Sequence, residues 1–310
     1  MLKSYRISSP VLLPLVRAAQ ILVGLTSLSP ALASADTLPK KIVFIAGNPS
    51  HSRGEHEHRA GCMLLADHLN RSGLPVNAVV ISHGWAQDDS IFQGAAAVVI
   101  YSDGGEGHPA LKHLSELKKL AEAGVGIGCI HYAVEIPTGA PGDTLRDLVG
   151  GYFETNWSVN PHWQASFKLP KHEVTRGIQD FEITDEWYYH LRFSPEMNGI
   201  TPILTALPPP DSLRRPDGPH EGNPAVRAAV LERKEPQHVM WVYDRPQKLG
   251  SGRSFGFTGG HFHKNWQQDD NRRLVLNAIA WISGLQIPEK GVASETPSDA
   301  AMVENLDEKN

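Results

Sequence analysis

Histidines and acids crowd several loops of this chain, and their types suit proton transfer or metal ligation. The most informative stretch is Gly259-Gly260-His261-Phe262-His263-Lys264, with two imidazoles at i, i+2 just after an apolar run from Arg253 to Phe257. Imidazole titrates near neutrality, so either ring could give or take a proton. His131 closes the run Gly126-Ile127-Gly128-Cys129-Ile130-His131, where a tight strand-to-helix turn would lift one side chain above a sheet. In Tyr101-Ser102-Asp103-Gly104-Gly105-Glu106-Gly107-His108, glycines permit close backbone approach and Asp103 could face a ligand; a plain turn and helix cap is equally compatible. Gly47-Asn48-Pro49-Ser50-His51 leads toward a helix start, where backbone N–H groups favour polar or anionic ligands, so Asn48 and His51 are candidate contacts. His56 and His58, further along, are assigned to the solvated face of that helix. Finally, Trp157 to Trp163 and Thr184 to His190 interleave aromatics with His162, Glu186 and His190. Flat apolar faces beside carboxylates and imidazoles are what a sugar site requires, although core packing claims Trp187 and Tyr189.

The elements that must position these groups are legible from hydrophobic pattern. Lys41 to Ala46, Val76 to Ile81, Ala95 to Tyr101 and Val125 to Ile130 are short apolar runs that read as buried strands. Glu55 to Asn70 and Pro109 to Ala123 read as helices between them, a βαβ alternation that predicts a parallel sheet covered on both faces. Between Gly151 and Gly250 the texture changes, with strand candidates at Gln164 to Leu169, Pro202 to Leu207, Ala225 to Leu231 and His238 to Tyr243. Strands without intervening helices predict antiparallel additions. The proline run at 208–210 and the segment Asp211 to Pro224 predict a long surface loop. Asp270 to Ile282 then reads as a helix with an apolar packing face. In such sheets ligands sit beyond the carboxyl ends of the strands, which is where these histidines and acids fall.

Lys3, Arg6 and Arg17, an apolar run to Leu32, and the small residues Ala33-Ser34-Ala35 predict a signal peptide over 1–35, cleaved after Ala35, and a periplasmic or secreted protein. The apolar run and its prolines argue against a retained membrane span. Losing three basic leader residues takes the formal charge from -5 to -8. An acidic chain without a basic stripe sets nucleic-acid binding aside. Residues 36–288 form one α/β domain by size, and the acidic Ser/Pro-containing tail, 289–310, is expected to be disordered. Cys62 and Cys129 are read as buried free thiols.

The combination of Gly128-Cys129-Ile130-His131-Tyr132-Ala133, Asp185-Glu186-Trp187-Tyr188 and Thr258-Gly259-Gly260-His261 resembles the ThuA-like family, named from trehalose utilisation, within the class I glutamine amidotransferase-like superfamily. The likeness spans nearly all of Lys40 to Leu285. It implies a flavodoxin-like fold and a role in carbohydrate metabolism, with 3-keto sugars or glycosides as substrates. His261 resembles the superfamily's downstream histidine, but His263 stands where that motif continues Pro-Glu. The cysteine elbow is also altered at Cys129 to His131, so glutaminase activity is not expected. The reading is an extracytoplasmic hydrolase or lyase acting by acid/base chemistry without a cofactor. His131, Glu186 and His261 are catalytic in this reading; Asn48, His51, Asp103, His162, His190 and His263 bind substrate. Two alternatives stay open: a divalent-metal hydrolase, with His131, His261, His263 and a carboxylate as ligands, and a noncatalytic carbohydrate-binding module.

Overall fold

In the computed structural model, residues 38–309 are described, and the leader reading falls outside them. The apolar runs form the strands expected of them: β1 (Lys40–Ala46), β2 (Val76–Ile81), β3 (Ala95–Tyr101) and β4 (Gly126–Ile130), with helices α1 (His58–Arg71) and α2 (Leu114–Glu122) between. Helix α3 (Ala140–Val149), which lay unread in the sequence, follows β4. Then come β5 (Gly151–Tyr152), β6 (His162–Phe167), β7 (Phe181–Glu186), β8 (Arg192–Phe193), β9 (Ile200–Ala206), the short α4 (Pro224–Arg227), β10 (Gln237–Asp244), β11 (Arg253–Phe257), α5 (Asp269–Ile282) and α6 (Asp299–Val303).

Seven strands make one sheet in the order β2-β1-β3-β4-β11-β10-β9. The first five are mutually parallel, whereas β10 runs antiparallel to both β11 and β9. This is the flavodoxin-like order with an antiparallel extension, and its topological switch lies between the loops that follow β1 and β3. Because side chains alternate along a strand, Ile42, Phe44 and Ala46 face one layer while Val43 and Ile45 face the other. The first layer contains α1, α5 and the β6–β7 hairpin; the second contains α2 and α3. Cys62 belongs to the first layer and Cys129 to the second, both buried and unpaired. Trp241, fully buried on β10, lies directly opposite Gly256 on β11. A Cβ on residue 256 would come within 2.1 Å of the indole, so only glycine lets the ring fold across the partner strand.

Three readings need correction. Ala225 to Leu231, expected as a strand, is helical: the Asn223 side chain accepts from the Val226 N–H at 3.0 Å, Pro224 opens α4, and a π turn continues to Glu232. Val226 and Val230, four apart, are buried on the same side, a helical period that a short apolar run conceals. Helix α1 starts at His58 and not at Glu55, so His56 precedes the helix. Residues 289–309 are ordered and packed. Val292 is fully buried, its N–H donates to Asn277 Oδ1 at 2.8 Å, and Met302 on α6 is buried as well. The guanidinium of Arg272, wholly buried, reaches Ser294 Oγ at 2.6 Å. This cover explains why α5 buries nearly its whole circumference. No helix among the described residues is long and apolar enough to cross a membrane.

Candidate functional site

Each strand that ends at the carboxyl edge near the switch contributes a polar group. The loop after β1 brings His51 and His56, the turn after β3 brings Asp103, and β4 runs directly into His131. The loop after β11 brings His261, and β7 ends on Glu186. His51, His56 and His131 have φ of 56°, 46° and 59°, the left-handed region that costs a β-carbon residue energy and collects at functional sites. His131 therefore stands as the elbow residue, while Cys129 stays buried within β4 with its thiol pushed up by burial to about 12.

Four side chains converge. His56 Nε2 lies 3.0 Å from His131 Nε2 and 3.0 Å from His261 Nδ1. Glu186 Oε2 lies 3.2 Å from His261 Nδ1 and 3.6 Å from His131 Nε2. The second nitrogens fix the tautomers of two rings. His131 Nδ1 is 2.9 Å from the Thr258 carbonyl, which can only accept, so that nitrogen carries the hydrogen. His56 Nδ1 is 2.7 Å from Asp103 Oδ1 and donates to it in the same way. In the neutral rings both Nε2 atoms then present lone pairs to each other. Burial holds both histidines well below their ordinary pKa, and the neighbouring rings add to this. Burial alone would raise the Glu186 carboxyl, but the hydrogen bond from His261 and the surrounding imidazoles more than offset it and hold it low. Burial would lower His261, yet its contact with Glu186 raises it.

These spacings can be compared with a coordination sphere. For metal–ligand distances of about 2.0–2.2 Å, the edges of a tetrahedron or octahedron are roughly 2.8–3.6 Å. The four donor atoms all lie within 4.8 Å of one another, and the neighbouring pairs fall close to that edge length. The outer contacts have the form metal-binding histidines use, one ring nitrogen inward and the other donating to a carboxylate or carbonyl. His261 is the exception, since its Nε2 is buried without a hydrogen-bond partner, 3.7 Å from Glu55 Oε1. A buried carboxylate behind the cluster shapes the His261 loop. Asp185 accepts from the N–H groups of Gly260 (2.8 Å), His261 (3.1 Å) and Phe262 (3.4 Å), from Asn265 Nδ2 (2.9 Å) and from the Glu186 N–H (2.9 Å).

His56 and Glu186 open onto a cavity of about 250 Å³, also lined by His51, Tyr132, Tyr188, Asn160, Arg215 and His220. His220 arrives on the long proline-rich loop, which is pinned where the Asn160 N–H donates to its carbonyl at 3.0 Å. Its Nε2 contacts both oxygens of buried Glu135, at 2.9 and 3.0 Å, and that bond raises its pKa. The Tyr188 hydroxyl donates to Glu186 Oε2 at 3.2 Å. A larger hollow of about 620 Å³ lies between α1 and the tail, lined by Met63, Asp67 and Arg71 among others, far from this chemistry.

The structure thus brings His131, Glu186 and His261 together and places Asp103 one bond behind them. His51 stacks on His56 with ring centres 3.5 Å apart, and His162 Nε2 stands 3.7 Å from Glu186 Oε1 at the exposed rim. The other three expected contacts fall elsewhere. Asn48 is exposed and uses its carbonyl to hold His58 Nδ1 at 3.1 Å. His190 stacks on Trp157 and bonds its carbonyl, outside the cavity. His263 points away beneath the tail, buried, its pKa pushed down to about 4 by burial. In an extended segment residues at i, i+2 would share a face, but a 3-10 turn begins at His263 and carries its ring away from His261. Sequence reasoning missed His56, Asp185, Glu135 and His220. For His56 the only available signal was the density of histidines between His51 and His58, ahead of any helix-forming run.

A parallel core in the order β2-β1-β3-β4-β11 with imidazoles and carboxylates at its carboxyl edge defines a flavodoxin-like α/β protein with a histidine at the elbow. The chain belongs to the ThuA family, described as trehalose utilisation, which it matches over residues 45–282. Among solved structures it is similar to a ThuA-like protein from Bacteroides uniformis, at 13% identity and a TM-score of 0.51, covering 81% of this chain and 94% of that one. A ThuA-like protein from Parabacteroides merdae is similar at 15% identity and a TM-score of 0.51, covering 84% and 94%. A glutamine amidotransferase from Thermotoga maritima aligns at 9% identity with a TM-score of 0.42, over 79% and 98%. No curated protein matches the chain.

Proposed function

We propose that the chain is an enzyme of carbohydrate metabolism whose site is a divalent-metal centre held by His56, His131, Glu186 and His261. The observation that carries this reading is the 3.0 Å approach of two imidazole Nε2 atoms whose hydrogens are committed elsewhere. Such an arrangement of buried lone pairs is repulsive unless a cation lies among them. A bound divalent ion would polarise a carbonyl or hydroxyl oxygen of the substrate. The ligand set includes His56 and leaves out His263.

With His261 Nδ1 and Glu186 Oε2 turned toward the centre, the proton-transfer roles expected for these two residues pass to the opposite wall. His220, with Glu135 orienting it, has the arrangement of a general base supported by a carboxylate. The family description and a cavity sized for about one sugar ring support a carbohydrate substrate. A keto group at C3 of a glycoside would acidify the C2–H bond. His220 would take that proton, the electron pair would form the C1–C2 double bond, the C1–O bond would break, and His220 would return the proton to the departing oxygen. No water or oxidant is consumed in that step.

The test is elemental analysis of the purified mature protein, followed by assay with 3-keto-trehalose before and after chelation. Stoichiometric metal, lost in His131→Ala, and turnover that disappears on chelation and returns with added metal are expected. Full turnover in metal-free protein would refute the reading.

A further inference from the structure

The segment after α5 ends on the backbone of the site. Lys309, its side chain 4% exposed, places its ammonium 3.2 Å from Oε1 of the fully buried Glu57. The same ammonium donates to the carbonyl of Glu55 and, at 3.2 Å, to that of His56. Two further contacts anchor the strap: Arg59 Nε donates to Asp307 Oδ1 at 2.7 Å and Arg59 Nη2 to the Leu306 carbonyl at 3.0 Å. Glu57 in turn accepts the Gly54 N–H at 2.8 Å. These contacts close around a single peptide unit. His56 sits at a φ of 46°, and its N–H donates to the His261 carbonyl at 3.0 Å. With its carbonyl held by Lys309, a residue in an unfavourable backbone conformation is fixed at both ends, as strained site residues must be by their surroundings.

We propose that Lys309 is a positioning residue of the centre. By gripping the Glu55 and His56 carbonyls and neutralising Glu57, it keeps His56 Nε2 directed at His131 and His261. This rests on the metal reading of the cluster given above. A mere stabilising ion pair would leave the geometry of His56 indifferent to the exchange of Lys309 for a group of similar bulk, once overall stability is matched. A positioning role would not.

Zinc is the probe, titrated against a chromophoric chelator into the full chain and into Lys309→Met, Lys309→Arg and Leu117→Ala. Leu117 is fully buried in the layer of α2 and α3, so its truncation lowers stability without touching the strap. Lys309→Met should weaken zinc binding about 10- to 100-fold, the range of other outer contacts to metal ligands, and Lys309→Arg should restore part of it. Leu117→Ala should lower Tm and leave zinc affinity unchanged. Amide hydrogen exchange at residues 54–57 should accelerate in Lys309→Met beyond the rest of the chain. If the Met variant does not fold, Glu57→Gln combined with Lys309→Met removes the orphaned buried charge. Wild-type zinc affinity and unchanged exchange in a folded Lys309→Met chain would overturn the proposal, as would an equal loss of affinity in Leu117→Ala. If the wild-type chain binds no zinc, the metal reading falls, and exchange alone decides whether Lys309 holds His56: selective acceleration supports it, none refutes it.

Discussion

Asp185 offers a direct test of how the His261 loop is built. Its carboxylate, fully buried, collects five N–H donors: Oδ2 takes Gly260 and Asn265, and Oδ1 takes Glu186, His261 and Phe262. In Asp185→Asn the amide NH2 must replace one of the two oxygens, and the less costly choice is the two-donor side. That orphans the Gly260 N–H and one of the two Asn265 Nδ2 hydrogens in a buried setting, at about 1–3 kcal/mol each, while the three bonds that remain lose their charge assistance. A total loss of about 3–5 kcal/mol is expected on this basis. Rotation of the Asn265 amide cannot recover it, because Asn265 Nδ2 also serves the Thr184 carbonyl at 2.9 Å. Urea unfolding followed by tryptophan fluorescence measures the change, with an unchanged slope confirming that only the native state is altered. A loss below about 1 kcal/mol would show that the loop does not depend on this anion, refuting the account of how His261 is held.

Two further outcomes follow from the packing. His108, fully enclosed, donates from Nε2 to the Ala133 carbonyl and accepts the Ala110 N–H on Nδ1, and burial pushes its pKa down to about 4. An imidazole depressed from 6.5 to about 4 contributes stability that is complete above pH 6.5 and is lost as the pH falls toward 4, about 2 kcal/mol by pH 5. The urea midpoint of the wild-type chain should therefore fall more steeply between pH 7 and pH 5 than that of His108→Gln, and equal slopes would contradict the assignment. Gly256→Ala forces a methyl against the Trp241 indole and should cost about 1–3 kcal/mol in thermal or urea unfolding; a neutral result would mean that β10 and β11 can slide apart.

The parallel core was legible because its central strands are largely buried: β1, β3 and β4 read as apolar runs with clear punctuation, and no other element type fits runs so short between helices. The site was half legible. His131 and His261 could be found because each follows such a run, and Glu186 because it sits among aromatics. His56 could not, since helical periodicity extended backwards over Glu55 to Glu57 hides the left-handed turn that aims it. Glu135 and His220 are 85 residues apart, and only the folded loop joins them. The segment beyond Pro288 misled by composition: its acids and serines suggest a solvated chain, but Asp307, Ser294 and Lys309 are spent on partners elsewhere that no local pattern reveals.

The two thiols, one in each layer, carry a practical consequence. A sheet stands between Cys62 and Cys129, so an oxidising compartment cannot link them within one native chain, and burial keeps both protonated and out of reach of alkylating reagents. Each becomes reactive only when its own layer opens. The rates at which the two are trapped would act as independent clocks for the two halves of the molecule, showing whether the layers part together or in succession without any engineered label.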